Sequence, residues 1–201
     1  MMSGKSWGYV VQFFCLLVFL GMSPFLIKMD GRKTMSVSSD SVRSQNVSDE
    51  VKPVAALTFD DGPNASSTPI LLDGLKVRAT FFLIGENVEK DENEKIVKRM
   101  YEEGHLIGNH TYTHCNLSKL ETGEAKKELE QTDTVIEKIT GKQPVFARAP
   151  YGELPVDSEQ DLSRIYIGWT VDPLDWMTED AGAVVKTVVE EINPGDVILL
   201  H

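Results

Sequence analysis

Cysteine is almost missing from this 201-residue chain: only Cys15 and Cys115 occur, and the first lies inside an apolar N-terminal run. No disulfide framework can therefore hold the fold together. Basic charge is also short, with 20 Lys and Arg against 31 Asp and Glu and a formal charge of −11. Beyond residue 33 the imbalance grows, because 16 basic face 30 acidic side chains there, a formal charge of −14. Such a surface repels phosphate backbones and anionic headgroups, which argues against a nucleic-acid partner and for a neutral or cationic one. What is present is an ordinary globular share, 41% apolar and 25% charged residues, enough for one buried core.

The one long apolar run is Trp7 to Ile27, uncharged throughout. As a helix it spans roughly 30 Å, about the hydrocarbon thickness of a bilayer. Residues 1–33 are therefore expected to be a single-pass membrane anchor with its flanks. A cleaved secretory signal is the competing reading, but its apolar stretch is usually shorter, and the best small-x-small site, Gly21-Met22-Ser23, is followed by Pro24. Cys15 follows Phe13-Phe14, unlike a lipoprotein cleavage site, and reads as a membrane-buried thiol. Lys5 stands on one side of the run and Lys28, Arg32 and Lys33 on the other, so the positive-inside rule mildly opposes an outward domain. Residues 34–52 hold six serines and no aromatic residue, a composition that cannot order itself by burial and reads as a linker.

From residue 53 to 201 short apolar runs alternate with amphipathic segments. Val54 to Phe59, Ala79 to Ile84, Val145 to Ala147, Ile165 to Val171 and Val197 to Leu200 are expected strands, buried on both faces. Ile96, Val97, Met100 and Tyr101 recur at helical spacing before Gly104, and Ala125, Leu129, Thr132, Ile136 and Ile139 do so before Gly141. Thr178, followed by Glu179 and Asp180, reads as the N-cap of a helix through Val184, Val185, Val188, Val189 and Ile192. This alternation predicts an α/β parallel sheet or barrel, whose chemistry gathers at the C-terminal ends of its strands.

Five segments sit at such ends. Thr58-Phe59-Asp60-Asp61-Gly62-Pro63 closes a strand with two carboxylates and a turn. On a strand the two acids face opposite ways, but at the bend both can approach one site, one as a metal ligand and one as a base. In His110-Thr111-Tyr112-Thr113-His114 the imidazoles are four apart, a spacing that on a helical turn places both on one face. Two His and a carboxylate leave coordination positions open, as a catalytic metal requires. His105, within His105-Leu106-Ile107, reads instead as a packed, hydrogen-bonded histidine, and Cys115 as a small buried thiol. Arg148-Ala149-Pro150-Tyr151 brings a guanidinium that can hold a carboxylate ionised. Asp172-Pro173-Leu174-Asp175-Trp176 and Leu199-Leu200-His201 complete the set.

In this order the five segments resemble the polysaccharide deacetylases of the NodB-homology type, carbohydrate esterase family 4, over about Val54 to His201. The resemblance implies a distorted (β/α) barrel and a divalent ion, Zn²⁺ or a similar metal such as Co²⁺, on Asp61, His110 and His114. It also implies Asp60 as the general base, oriented by Arg148, and His201 as the acid for the leaving amine, paired with Asp175. The Tyr151 backbone N–H would join in holding the oxyanion, Trp176 and Leu199 would wall the acetyl pocket, and Thr111 would brace the histidine loop. The implied reaction is metal-dependent N-deacetylation of an amino-sugar polysaccharide, peptidoglycan or chitin-like, outside the cytoplasmic membrane.

Two other readings stay open, and a third is disfavoured by the residues present. The family includes O-deacetylases of xylan. Members also continue past the Leu-Leu-His segment with a further helix and strand, so the chain reads as a domain lacking its last helix and strand, and an inactive glycan- or metal-binding relative is an alternative. Non-haem iron oxygenases share the 2-His-1-carboxylate set but have no need of a separate paired base and terminal acid.

Overall fold

The computed structural model describes residues 54–154 and 164–201. The expected anchor and linker lie outside the described residues, and no helix within them is long and apolar enough to cross a membrane.

Six parallel strands form one curled sheet: β1 (Ala56–Gly62), β2 (Thr80–Leu83), β3 (Leu106–Asn109), β4 (Phe146–Ala147), β5 (Ile165–Tyr166) and β6 (Val197–Leu200), in the order β5-β4-β3-β2-β1-β6. Helices α1 (Thr68–Gly74), α2 (Gly85–Val88), α3 (Glu94–Glu102), α4 (Thr122–Thr140) and α5 (Ala181–Glu191) supply the connections. This is the α/β half-barrel version of the expected architecture. The ends of the sheet meet only sparsely: the chain leaving β5 bridges to β6 through Val171 and Ile198, with Leu199 N–H donating to the Val171 carbonyl.

Burial follows from strand alternation. In β1, Ala56, Thr58 and Asp60 point into the barrel, while Leu57 and Phe59 join the outer core. That outer core holds Leu72, Phe81, Leu83, Val97, Met100 and Ile136 between the sheet and α1, α3 and α4. Phe82, with Phe81 and Leu83 on the opposite side, enters the interior beside Ile167 and Val197. All four residues of β2 are buried, as a central parallel strand requires. Gly108 of β3 lies against Phe82 so closely that a Cβ there would stand 2.4 Å from the ring.

The long helices match the periodicity of the sequence. α3 ends before Gly104, and α4 ends in Gly141 at φ 74°, a left-handed cap that favours glycine. Three expectations need correction. β3 was hidden because Leu106-Ile107-Gly108-Asn109 has only two strongly apolar residues, and β5 stops at Tyr166 because the chain turns toward Arg148 after Ile167 and rejoins the sheet against β6 at Thr170 and Val171. The cap of α5 is Asp180, whose carboxylate accepts from Gly182 and Ala183 N–H, whereas Thr178 Oγ1 accepts from Asp180 N–H one turn earlier. The apolar stripe of α5 is not covered by the described residues: Val185 is 62% and Val189 69% exposed.

Candidate active site

The C-terminal ends of β1, β3, β4 and β6 surround one cleft of about 430 Å³. Asp60 reaches it by simple alternation. Asp61 would point away, but its φ of 66° and a register irregularity between Phe59 and Gly62 turn its carboxylate back to the same side. The two acids thus converge by a bulge, as the sequence required of that bend.

The His110 and His114 side chains converge differently from expectation. The segment after β3 is not helical: Thr111 has φ 65° and His114 φ 58°. A tight loop, rather than one helical face, brings the rings to 5.1 Å between centroids. Asp61 Oδ1 lies 3.4 Å from His110 Nε2 and 3.2 Å from His114 Nε2, and it makes no regular hydrogen bond although it is buried.

That orphaned oxygen decides whether a metal fits. His110 Nδ1 lies 2.8 Å from the Arg148 carbonyl, which can only accept, so Nδ1 carries the proton and neutral His110 offers a lone pair at Nε2. A carboxylate lone pair and an imidazole lone pair facing one point are stable with a cation between them. Asp61, His110 and His114 all place a ligand atom within 4.8 Å of the others, so this donor set fits a divalent ion. Without an ion, burial raises the Asp61 pKa, but hydrogen-bonding contact with and the charge of the two histidines outweigh it and hold the carboxyl well below its usual range. Contact with Asp61 raises the His114 pKa in turn, against the opposing effect of burial.

Arg148 lies beneath the cleft, with its side chain 1% exposed. Its Nη1 donates to Asp60 Oδ1 at 2.7 Å and to Thr58 Oγ1 at 2.8 Å, while Nε and Nη2 donate to the carbonyls of Ile167 and Gly168. The guanidinium stacks on Phe82 at 4.2 Å. Asp60 keeps its second oxygen toward the metal site, 3.7 Å from His110 Nε2.

His201 stands at the end of β6. Asp175 opens a 3-10 turn (Asp175–Met177), accepts from the His201 backbone N–H at 2.7 Å and lies 2.8 Å from His201 Nδ1. Leu199 is buried in the cleft wall, and Trp176 flanks it, largely exposed. Tyr151 forms the rim at φ 61°, with its hydroxyl 3.3 Å from His114 Nδ1. Thr111 is buried and its backbone, not its hydroxyl, ties the loop. Thr111 aside, the ten expected metal, catalytic and substrate-contacting residues are thus in or directly behind one cleft. Trp169 and Asp172 also line it. Trp169 carries no motif of its own and reaches the cleft only through the path of the chain after β5, and Asp172 enters with the segment that holds Asp175.

Comparison with known proteins bears on this arrangement. Residues 48–167 match the family described as polysaccharide deacetylase. A peptidoglycan-N-acetylglucosamine deacetylase of Bacillus cereus is 44% identical over 158 residues, covering 75% of this chain and 56% of that protein. The structure of the peptidoglycan deacetylase PdaC from Bacillus subtilis superposes with a TM-score of 0.72 at 37% identity, covering 76% of each chain. A family 4 acetyl xylan esterase from Clostridium thermocellum, solved with a cobalt ion, gives 0.69 at 32% identity and 73% of each chain. The chain spans 56% of the Bacillus cereus protein and 35% of full-length PdaC. By matched sequence, fold and the order of its site segments, the chain belongs to the polysaccharide deacetylase family.

Proposed function

We propose that the chain hydrolyses N-acetyl groups from an amino-sugar polymer, peptidoglycan or a chitin-like glycan, with the ten residues above in the roles their positions suit. The observation that carries this reading is the convergence of an open Asp61-His110-His114 donor set with a separate carboxylate, Asp60, and a separate imidazole, His201, on one cleft. The relatives named for peptidoglycan support the glycan class.

A divalent ion on the donor set, zinc or cobalt-like, would supply Lewis acidity toward the acetyl carbonyl and lower the pKa of the attacking water. Asp60, with one oxygen held by Arg148, keeps the other to accept the water proton. The water oxygen bonds to the acetyl carbon, and charge gathers on the carbonyl oxygen, where the Tyr151 backbone N–H would donate. His201 holds Asp175 through Nδ1 and so has Nε2 available to protonate the sugar nitrogen. The C–N bond then breaks to leave acetate and a free amine. Leu199 and Trp176 form an apolar wall suited to the acetyl methyl. The domain would work outside the cell, held by the run at residues 7–27 as a membrane anchor or released from it as a signal; the supports are that run's length and the location of a wall polymer.

The test is acetate release and new primary amine from N-acetylglucosamine oligomers and from peptidoglycan, with and without added Zn²⁺ or Co²⁺, and with an O-acetylated xylan in parallel. We expect metal-dependent acetate release from the amide substrates and roughly a hundredfold loss in Asp60→Asn, the usual scale for a positioned base. Release from the ester alone would move the chain to the O-deacetylases. No release from any of them by the metal-loaded full chain would remove the hydrolase reading.

A further inference from the structure

The loop that carries both histidines is not held by its own backbone. Thr111 and His114 adopt left-handed φ without being glycine, a conformation that persists only where the surroundings over-determine it. Those surroundings come from two helices that contribute nothing to the cleft lining. The N-terminal amides of α2 donate to the loop, Gly85 N–H to the Thr111 carbonyl and Glu86 N–H to the Tyr112 carbonyl. Gly85 is needed for this approach, because a Cβ would stand 2.4 Å from the Tyr112 ring. On the other side, α4 presents Glu128, whose Oε2 accepts from both Tyr112 N–H at 3.0 Å and Thr113 N–H at 2.8 Å. The Thr113 hydroxyl lies within 3.2 Å of both Glu128 oxygens. Asp133, five residues further along the same helix, accepts from Asn109 Nδ2 at 2.6 Å, and Asn109 Oδ1 accepts from Thr111 N–H.

We infer that Glu128 is a positioning residue of the metal centre: by collecting the two amides midway between His110 and His114 it fixes the separation and aim of both imidazoles. This rests on the reading of Asp61, His110 and His114 as metal ligands. Two N–H donors on one carboxylate oxygen are charge-assisted and directional, so the loop has one arrangement instead of several. Removal of the side chain leaves both amides without this acceptor and frees the segment between the ligands. A glutamine keeps one oxygen that can accept from both amides and loses only the charge assistance, whereas an alanine loses the acceptor itself.

The experiment measures Zn²⁺ and Co²⁺ affinity of the full chain by competition with a chromophoric chelator, the Co²⁺ visible absorption, and apo-protein melting, for the parent, Glu128→Ala, Glu128→Gln and Glu128→Asp. Loss of a group that orients metal ligands typically costs ten- to a hundredfold in metal affinity. We expect Glu128→Ala to lose at least tenfold with an altered Co²⁺ spectrum, and Glu128→Gln to stay within about threefold of the parent. Ile136→Val, a buried change on the same helix, should lower melting without changing affinity. Parent affinity in a folded Glu128→Ala would overturn the inference, as would an equal loss in Glu128→Gln or in Ile136→Val. If Glu128→Ala does not fold, Glu128→Asp decides, since its carboxylate is drawn back by one methylene: weakened affinity supports the role, and parent affinity ends it. A parent chain that takes up no metal at all would overturn the metal-site reading itself, and this inference with it.

Discussion

The Arg148 carbonyl accepts from His110 Nδ1 at 2.8 Å, while the guanidinium of the same residue grips Asp60 at 2.7 Å. One buried residue therefore fixes the tautomer of a candidate metal ligand through its backbone and the position of a candidate base through its side chain. These two jobs respond differently to substitution, because the carbonyl survives any change at this position and the guanidinium does not.

Arg148→Met should destabilise the domain by about 3–5 kcal/mol, the range for stranding one member of a buried ion pair. Asp60→Asn on top of it removes the stranded charge and should restore a substantial part of that loss. Urea unfolding of the two single variants and the double variant measures the coupling. Additive losses would show that Asp60 and Arg148 are not energetically paired.

His201→Gln should lower turnover by roughly a hundredfold, the usual scale for a positioned proton donor, with metal content unchanged. Asp175→Asn should lower it less, because the amide oxygen can still accept from His201 while the charge is lost. Steady-state kinetics beside metal analysis separates them. Metal loss in His201→Gln would place that imidazole among the ligands instead.

His105 is buried against Phe81 and accepts from Ala79 N–H through Nδ1 at 3.1 Å. Burial lowers its pKa from 6.5, outweighing the pull of Glu103. A folded pKa below the unfolded one means that the folded state favours the neutral ring. The contribution is complete above about pH 6.5 and is lost as pH falls through the lower folded value. Stability measured from pH 7.5 down to 5 should fall more steeply in the parent than in His105→Gln. Parallel curves would exclude His105 as a source of acid sensitivity.

Gly108→Ala should cost about 1–3 kcal/mol, the scale of overpacking, because the new methyl meets the Phe82 ring. Phe82→Leu in the same chain should recover part of the loss by opening that space. Thermal melting of the three variants checks it.

The sequence made the site's membership legible because polar residues at the ends of apolar runs can only meet at one end of a parallel sheet. Asp60, Asp61, Arg148 and His201 were readable in that way. The local shape around the histidines was not, since a four-residue separation fits a helix and a tight loop equally well. What selects the loop is a set of acceptors and donors on α2 and α4, far away in sequence. β3 was missed for a related reason: its burial comes from Phe82 and α4, not from its own hydrophobicity. The Arg148 contacts with Thr58 and Ile167 likewise depend on the sheet's curl.

Curl also has a temporal side. Among the described strands β1 is made first and its outer neighbour β6 last, and Thr58 Oγ1 donates to the Ile198 carbonyl across 140 residues. Contacts so distant in sequence slow folding, because loop closure must precede their reward. During synthesis β1 therefore waits with one edge unpaired while β2 and β3 can already assemble beside it. The wall of the cleft that carries Leu199 and His201 consequently forms after the wall that carries Asp60, Asp61 and the two histidines, so the candidate base waits for the candidate acid.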